Sequence, residues 1–433
     1  MLVLLTSLVV SCNPKTAASP EIPDAPNPST RPAVSETVSP EPENEVTLTA
    51  ASEALTPEPV SINVWHNLPP DQALALAEDL VTFKSSAPHI SFVVRQYEQN
   101  TDLLANLETD GRPVDVVLGN AQLAAAMQAR GRLEAIDGWF DPEQLAGFCP
   151  PAMTSVSRDD QVWGLPDSVG FSLLLYYNQD LVSTPPADTD EMLSMAQSLT
   201  LRDQWGLALN SYDPLWLLPW LTPYGGWLTD SEGTPTLDSP AMVDALTLYL
   251  GWHGRLTGVA PPAEYVDARQ LFMDGKAAML IDGDWAMAEL DNSGGLNWAV
   301  STLPAVGGTG QPAAPLILGR YWLVGSGLTK AKQAAVAQFL TDVTRVDRQL
   351  AWAERFGLLP AQKSALDALL TKNDPWLSVQ VEQLEAGHGL VLGADANQIL
   401  DAIRQPLRQV LDGDLVPEDA ARRMQQAVVG QNP

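Results

Sequence analysis

Gly325-Ser326-Gly327-Leu328-Thr329-Lys330 comes nearest to a catalytic or cofactor motif. A phosphate loop needs glycines that let backbone N–H groups approach an anion and a lysine to neutralise it. Both residue types are present here, but the G-x-x-x-x-G-K-[ST] spacing is not. The segment reads as a strand-to-helix turn. Zinc needs imidazoles or thiolates at set spacings, whereas His66, His89, His253 and His388 are scattered with no paired Cys/His pattern. Asp230-Ser231-Glu232-Gly233 opens like a calcium loop, yet Ala241 stands where the closing bidentate glutamate belongs. No G-x-S-x-G elbow presents a serine nucleophile. Among 53 acidic residues some pair always lies at a separation fit for glycoside hydrolysis, so that pattern singles out nothing. The expectation is a protein with no catalytic residues, no metal and no cofactor.

Composition narrows the classes further. The chain has 433 residues, 45% of them apolar and 18% charged, enough for at least two folded units with large cores. A net charge of −29 repels phosphate backbones and anionic lipid surfaces, so nucleic acid is not an expected partner.

Residues 1–11, MLVLLTSLVVS, are almost wholly apolar but shorter than the roughly 20 residues a spanning helix needs. They read as the apolar core of a secretory signal, though no Lys or Arg precedes them. Val9-Val10-Ser11-Cys12 resembles the lipobox of bacterial lipoproteins, in which a small residue admits the signal peptidase and the cysteine thiol takes the lipid. With Cys12 lipidated, Cys149 has no disulfide partner and reads as a buried, inert thiol. Residues 12–58 are rich in Pro, Ser, Thr and Glu and carry too few large apolar side chains to fold. They form an extended tether between lipid and body.

The elements of the body follow from periodicity. VSINVW at 60–65 is a strand, and a helix opened by Pro69-Pro70-Asp71 places Leu76, Leu80 and Phe83 on one face. Residues 90–97 form a second strand, a short helix covers 102–107, and Val114-Asp115-Val116-Val117-Leu118 is a third strand, followed by an Ala-rich helix to Arg130. This β-α-β-α-β order predicts a parallel, helix-covered sheet whose ligands meet the carboxyl ends of its strands, at Trp65-His66-Asn67 and Gly119-Asn120. Residues 162–178 read as a strand that leaves one lobe and enters another. Helices near 239–256 and 264–275, strands at 276–281, 297–303 and 316–324, and a mostly helical remainder complete the pattern.

Four segments resemble the extracellular solute-binding proteins of the maltose-binding type (family 1), the lipoprotein components of bacterial ABC importers. They are INVWHNLPPDQALALAEDLVTFK at 62, VDVVLGNAQLAAAMQARGRLEAID at 114, WGLPDSVGFSLLLYYNQDLV at 163 and ARQLFMDGKAAMLIDGDWAM at 268. The last carries the form F-x-x-G-K-A-A-M-x-I-x-G-x-W. The resemblance implies an α/β, two-lobed periplasmic-binding-protein fold (type II), each lobe a helix-covered sheet, joined by hinge strands. Its N-terminal lobe would be 59–168 plus 302–345 and its C-terminal lobe 169–301 plus 346–433. Chain crossings would fall near Ser168 to Phe171, near Asn297 to Ser301 and after Asp342.

The same resemblance implies a monomer that captures a polar solute, first of all a mono- or oligosaccharide, between its lobes and delivers it to ABC permease subunits without covalent chemistry. It would be extracytoplasmic and attached to the cell membrane by its lipid alone. The ligand-binding residues carried over are Trp65, His66, Asn67, Asn120, Asp213, Trp216, Asp284, Trp285, Arg320, Tyr321 and Arg404. Phe171 stands on the crossing strand where sugar-binding members can carry an acid. A secreted carbohydrate-active enzyme and a transporter-independent surface sensor are the alternatives. In cell fractionation, Cys12→Ser is expected to leave the membrane fraction in which the wild type is retained, and a variant that stays there would remove the lipobox assignment.

Overall fold

The computed structural model describes residues 58–430 apart from 110, 254–258, 262, 293 and 373. The signal segment, Cys12 and nearly all of the tether lie outside the described residues.

The first sheet begins as its sequence pattern requires. β1 (Val60–His66), β2 (Ile90–Gln96) and β3 (Val116–Asn120) run parallel, with α1 (Pro70–Ser86) and α2 (Asn100–Glu108) as crossovers and α3 (Ala121–Ala129) after β3. Pro70 and Asp71 start α1, Lys84 lies in its last turn, and Leu76, Leu80 and Phe83 are its buried stripe. Short helices α4 (Pro142–Ala146) and α5 (Pro150–Thr154) precede a hairpin of β4 (Ser157–Arg158) and β5 (Gln161–Val162). Its two turn residues, Asp159 and Asp160, are both left-handed, which matches the twist of the flanking strands. β6 (Gly164–Gly170) then joins the first sheet.

Three residues later the chain is in another sheet. β7 (Leu173–Asn178), α6 (Thr189–Leu199), β8 (Trp205–Leu209), α7 (Pro240–Gly251), α8 (Tyr265–Met273), β9 (Ala277–Gly283), α9 (Met287–Asn292) and β10 (Trp298–Ser301) build the second lobe, whose strand order is β10-β7-β9-β8. β11 (Leu318–Val324) returns to the first sheet between β6 and β3, and α10 (Lys330–Val343), α11 (Val346–Phe356), β12 (Leu359–Pro360), α12 (Lys363–Leu370) and α13 (Pro375–Ala386) follow it. α14 (Ala396–Asp412) and α15 (Pro417–Gly430) pack on the second lobe. The first sheet reads β12-β6-β11-β3-β1-β2.

Each lobe has its own interior. Ile62, Leu118, Trp322 and Phe339 belong to the first core, Leu207, Trp220, Trp252 and Ile403 to the second, and Tyr176, Phe272 and Leu280 fill the opposite face of the second sheet.

Two expected boundaries move. Residues 302–316 were expected in the N-terminal lobe, but Leu303, Val306, Ala313 and Leu316 are buried in the second core, so the chain crosses at 317 and not at 297–301. Residues from 346 to 384 were expected in the C-terminal lobe, but Trp352, Leu359, Leu366, Val381 and Leu384 are buried in the first core. Their strand, β12, adds to the edge of β6. The third crossing therefore lies between α13 and α14, not after Asp342.

The three crossings lie side by side. Leu318 pairs with Gly170, Leu316 bridges to His388, the Ile317 N–H donates to the His388 carbonyl at 2.8 Å, and the His388 N–H donates to Pro315 O at 2.9 Å. α13 ties the lobes behind them: Leu377 and Val381 sit in the first core, while the Gln383 amide accepts from the Leu303 N–H at 2.6 Å and donates to Ala313 O at 3.0 Å.

The Gly325–Lys330 segment is the expected strand-to-helix turn, from β11 into α10. The N–H groups of Gly325, Ser326 and Gly327 already donate to Asp115 O, Arg132 O and Glu134, and Thr329 caps the helix. The three N–H groups of its glycine-rich start are thus taken up by the fold. Cys149 is buried, and burial pushes its thiol up to about 11, away from nucleophilic chemistry at neutral pH.

Candidate ligand-binding cleft

The cleft is built around the first crossing. Gly170 ends β6, and Phe171 follows with φ 64°, a left-handed conformation that costs a side-chain-bearing residue about 1–2 kcal/mol. Held there, the Phe171 side chain is 55% exposed, an unusual setting for a large apolar ring. Its ring lies 5.8 Å from that of Trp285. Trp285 is placed by the G-x-W spacing: a Cβ on Gly283 would stand 2.2 Å from the Trp285 ring, so only glycine admits the indole at that position. Its indole N–H donates to the Tyr265 hydroxyl at 2.6 Å. Behind it Trp216, edge-on at 6.5 Å, is buried and donates to Ile281 O at 2.7 Å. Trp216 therefore braces Trp285 from the core and does not line the cleft as expected.

Asp284 locks the crossing. Its N–H donates to Ser172 O at 2.9 Å and its carboxylate accepts from the Ser172 N–H at 3.4 Å. Burial pushes this carboxyl up to about 6, although the backbone N–H groups of Ser172, Phe171 and Trp285 favour its ionised form.

Charged groups gather beside α14. Asp213 caps the short helix Pro214–Trp216 by accepting from the Leu215 N–H at 2.9 Å, and its other oxygen lies 3.9 Å from Arg404. A hollow of about 460 Å³ is lined by these two with Asn210, Tyr212, Glu264, Asp401, Gln405 and Arg408. That volume falls within the usual range of ligand pockets. Arg408 pairs with Glu264 at 2.9 Å and lies 3.9 Å over the Tyr212 ring. A second, smaller hollow of about 180 Å³ is lined by Asn120, Gln122, Gly319 and Leu392 together with Phe171 and Ala394. Asn120 caps α3 by accepting from the Leu123 N–H, and the Gln122 amide reaches across to donate to Asn397 at 2.7 Å.

The remaining expected residues are withdrawn from the cleft. Trp65, expected at a strand end, lies inside β1, paired with Arg95 on one side and Val117 on the other. It is 5% exposed, and its N–H donates to Pro113 O at 3.1 Å. His66 is also in the strand and buried, which lowers its pKa, and its Nδ1 accepts from the Leu68 N–H. Only Asn67 of that trio is exposed.

Arg320 points into a buried cluster within the first lobe, where it and Arg348 flank Asp167 at 2.6 and 2.8 Å and Trp322 donates to the same carboxylate. Burial alone would raise the Asp167 carboxyl, but the two guanidiniums hold it below the usual range. Tyr321, one residue on and so on the other face of β11, is fully buried. The structure thus brings Asp284, Trp285, Asp213 and Arg404 to one side of the cleft and Asn120 to the other. It adds Phe171, Tyr265, Asn210, Tyr212, Gln122 and Asn397, of which only Phe171 carried a sequence signal, as an apolar residue where a strand changes sheets. Among the described residues, no cluster of three His, Cys, Asp or Glu side chains could hold a metal ion.

Two α/β lobes with separate cores, joined by adjacent crossings and facing each other across an aromatic and polar groove, define the class of two-lobed binding proteins. Residues 80–378, more than half of the chain, match the bacterial extracellular solute-binding proteins, and the chain belongs to that family. The maltotriose-binding protein of Pyrococcus abyssi is 24% identical over 324 residues, which cover 72% of this chain and 69% of its own. A maltooligosaccharide ABC transporter solute-binding lipoprotein of Streptococcus pneumoniae is 20% identical over 386 residues, 82% of this chain and 88% of its own. The solved maltose/maltodextrin-binding domain of Bdellovibrio bacteriovorus, bound to maltotriose, aligns at 25% identity with a TM-score of 0.65 and covers 86% of this chain and 99% of that one. The protein is a solute-binding protein of this two-lobed fold.

Two outcomes are expected from this geometry. Trp65→Ala should lower unfolding free energy by about 3–5 kcal/mol in a urea melt, the range for deleting a buried tryptophan, because the ring belongs to the core. A melt like the wild type's would contradict its burial. For Asp284, the unfolded carboxyl ionises near 3.8 and the folded one near 6. Between those values the folded state binds more protons, so stability falls as pH rises from about 4 to about 6 and is level above. Asp284→Asn should flatten part of that slope, with Asp282, which burial also raises to about 6, retaining the rest. An unchanged slope would mean that Asp284 ionises normally.

Proposed function

We propose that the protein captures a neutral oligosaccharide in this cleft, closes its lobes over it and delivers it to ABC permease subunits, without covalent chemistry. The observation that carries the reading is the pairing of exposed Phe171 with half-buried Trp285 at the crossing, beside the Asp213 and Arg404 hollow. A sugar ring has an apolar C–H face that stacks on aromatic rings, while each hydroxyl needs a partner once water is expelled. The groove offers both kinds of surface.

Closure is a rotation about the three paired crossings, which leaves both cores intact. The sugar ligands named for the relatives support an α-linked glucan as the first ligand to try. A lipid on Cys12 would hold the receptor near its transporter and raise its effective concentration there.

Isothermal titration of the purified protein with maltotriose and a wider glucan and polyol panel is the direct measurement. Trp285→Ala should weaken the best ligand about 10- to 100-fold while leaving the melting temperature close to that of the wild type, since burying one aromatic face is worth about 1.5–3 kcal/mol. A wild-type protein that takes up no sugar of the panel would end the reading. Equal affinity in the variant would remove Trp285 from the site.

A further inference from the structure

We infer that Asn210 is a specificity-determining residue of this site, reading a free hydroxyl on one ring of the ligand held in the hollow beside α14. The inference rests on the sugar-binding reading above and says which part of the cleft selects the guest. Asn210 follows β8 and is 7% exposed, yet it borders the 460 Å³ hollow. Its Oδ1 is sealed from solvent and accepts no hydrogen bond among the described residues. Buried amide oxygens are rarely left in that condition, because nothing offsets the loss of their water. The terminal torsion of an asparagine is the softest in its side chain, so a small turn of the amide presents Oδ1 to a guest without moving the backbone.

The surroundings say what kind of guest. Arg408 is committed to Glu264 and to the Tyr212 ring, which hold the wall in place before anything binds. Arg404 is not: it is 51% exposed and its nearest carboxylates, Asp401 and Asp213, stand 3.6 and 3.9 Å away. The hollow therefore offers a guanidinium that can donate and an amide oxygen that must accept. A hydroxyl answers both, since it donates and accepts, whereas an ether or glycosidic oxygen only accepts and leaves Asn210 as it was. The guest ring is one with an unsubstituted hydroxyl at that point.

The test uses the full-length protein with maltotriose and its monodeoxy analogues in calorimetric titrations. Asn210→Leu, close in shape and without the acceptor, should weaken maltotriose at least ~10-fold with an unchanged melting temperature. One monodeoxy analogue should lose a similar factor on the wild type and no further factor on the variant. That coupling is a readout which a merely structural role for Asn210 would not produce. If Asn210→Leu does not fold, Asn210→Ala is read in the same series. Equal affinity of wild type and variant for maltotriose, or losses that simply add, overturns the role of Asn210 while the sugar-binding reading stands. A wild type that binds no sugar of the wider glucan and polyol panel overturns both, and where a panel sugar other than maltotriose binds, that sugar and its monodeoxy analogues carry the same comparison.

Discussion

Apolar burial in this protein is divided between two lobes, and among the described residues three neighbouring stretches of chain pass between them. Everything functional follows from that division. Burial is the dominant favourable term in folding, so a motion that breaks a core is costly, while one that bends three hydrogen-bonded crossings is not. Gly170 beside Leu318 and Leu316 beside His388 make the crossings a narrow ribbon. Gln383 on α13 ties the ribbon to the second lobe.

The two sides of the cleft are made differently. The second lobe contributes Trp285, braced from behind by Trp216 and fixed in rotation by Tyr265, together with the charged groups along α14. The first lobe contributes mainly backbone and amides around the start of α3. Its strongest charges turn inward: Arg320 and Arg348 are spent on Asp167 and on the ring of Trp352, which stiffens the lobe and offers nothing to a ligand. In a chain of net charge −29, this internal pairing also keeps two of the few cations away from the surface.

Phe171 joins these features. Its left-handed backbone persists because Asp284 grips the next residue from both sides, and a conformation of that cost needs surroundings that over-determine it. The same carboxylate precedes Trp285 in the chain, so the hinge, the aromatic surface and a buried acid form one unit a few residues long.

Much of this was legible in the residues alone. The first β-α-β-α-β run and the change of lobe between 162 and 178 follow from local periodicity, although the one extended run expected there is two strands, β6 and β7, in different sheets. Trp65 was misread because a strand's end is not visible to the residue: β1 runs to His66 with neighbours on both sides, and a tryptophan there has no cleft to face. Helix α11 and strand β12 were given to the wrong lobe for a related reason. An amphipathic pattern tells which face of an element is buried but not which of two sheets buries it. Sequence by itself determined most elements and turns, since these depend on dihedrals and on contacts a few residues apart, while the two-lobed family was read from the resemblance of four segments. Tertiary structure alone decided that Phe171 lies against Trp285 and that Asp213 and Arg404 line one hollow, because chain crossings set such distances and no local spacing encodes them.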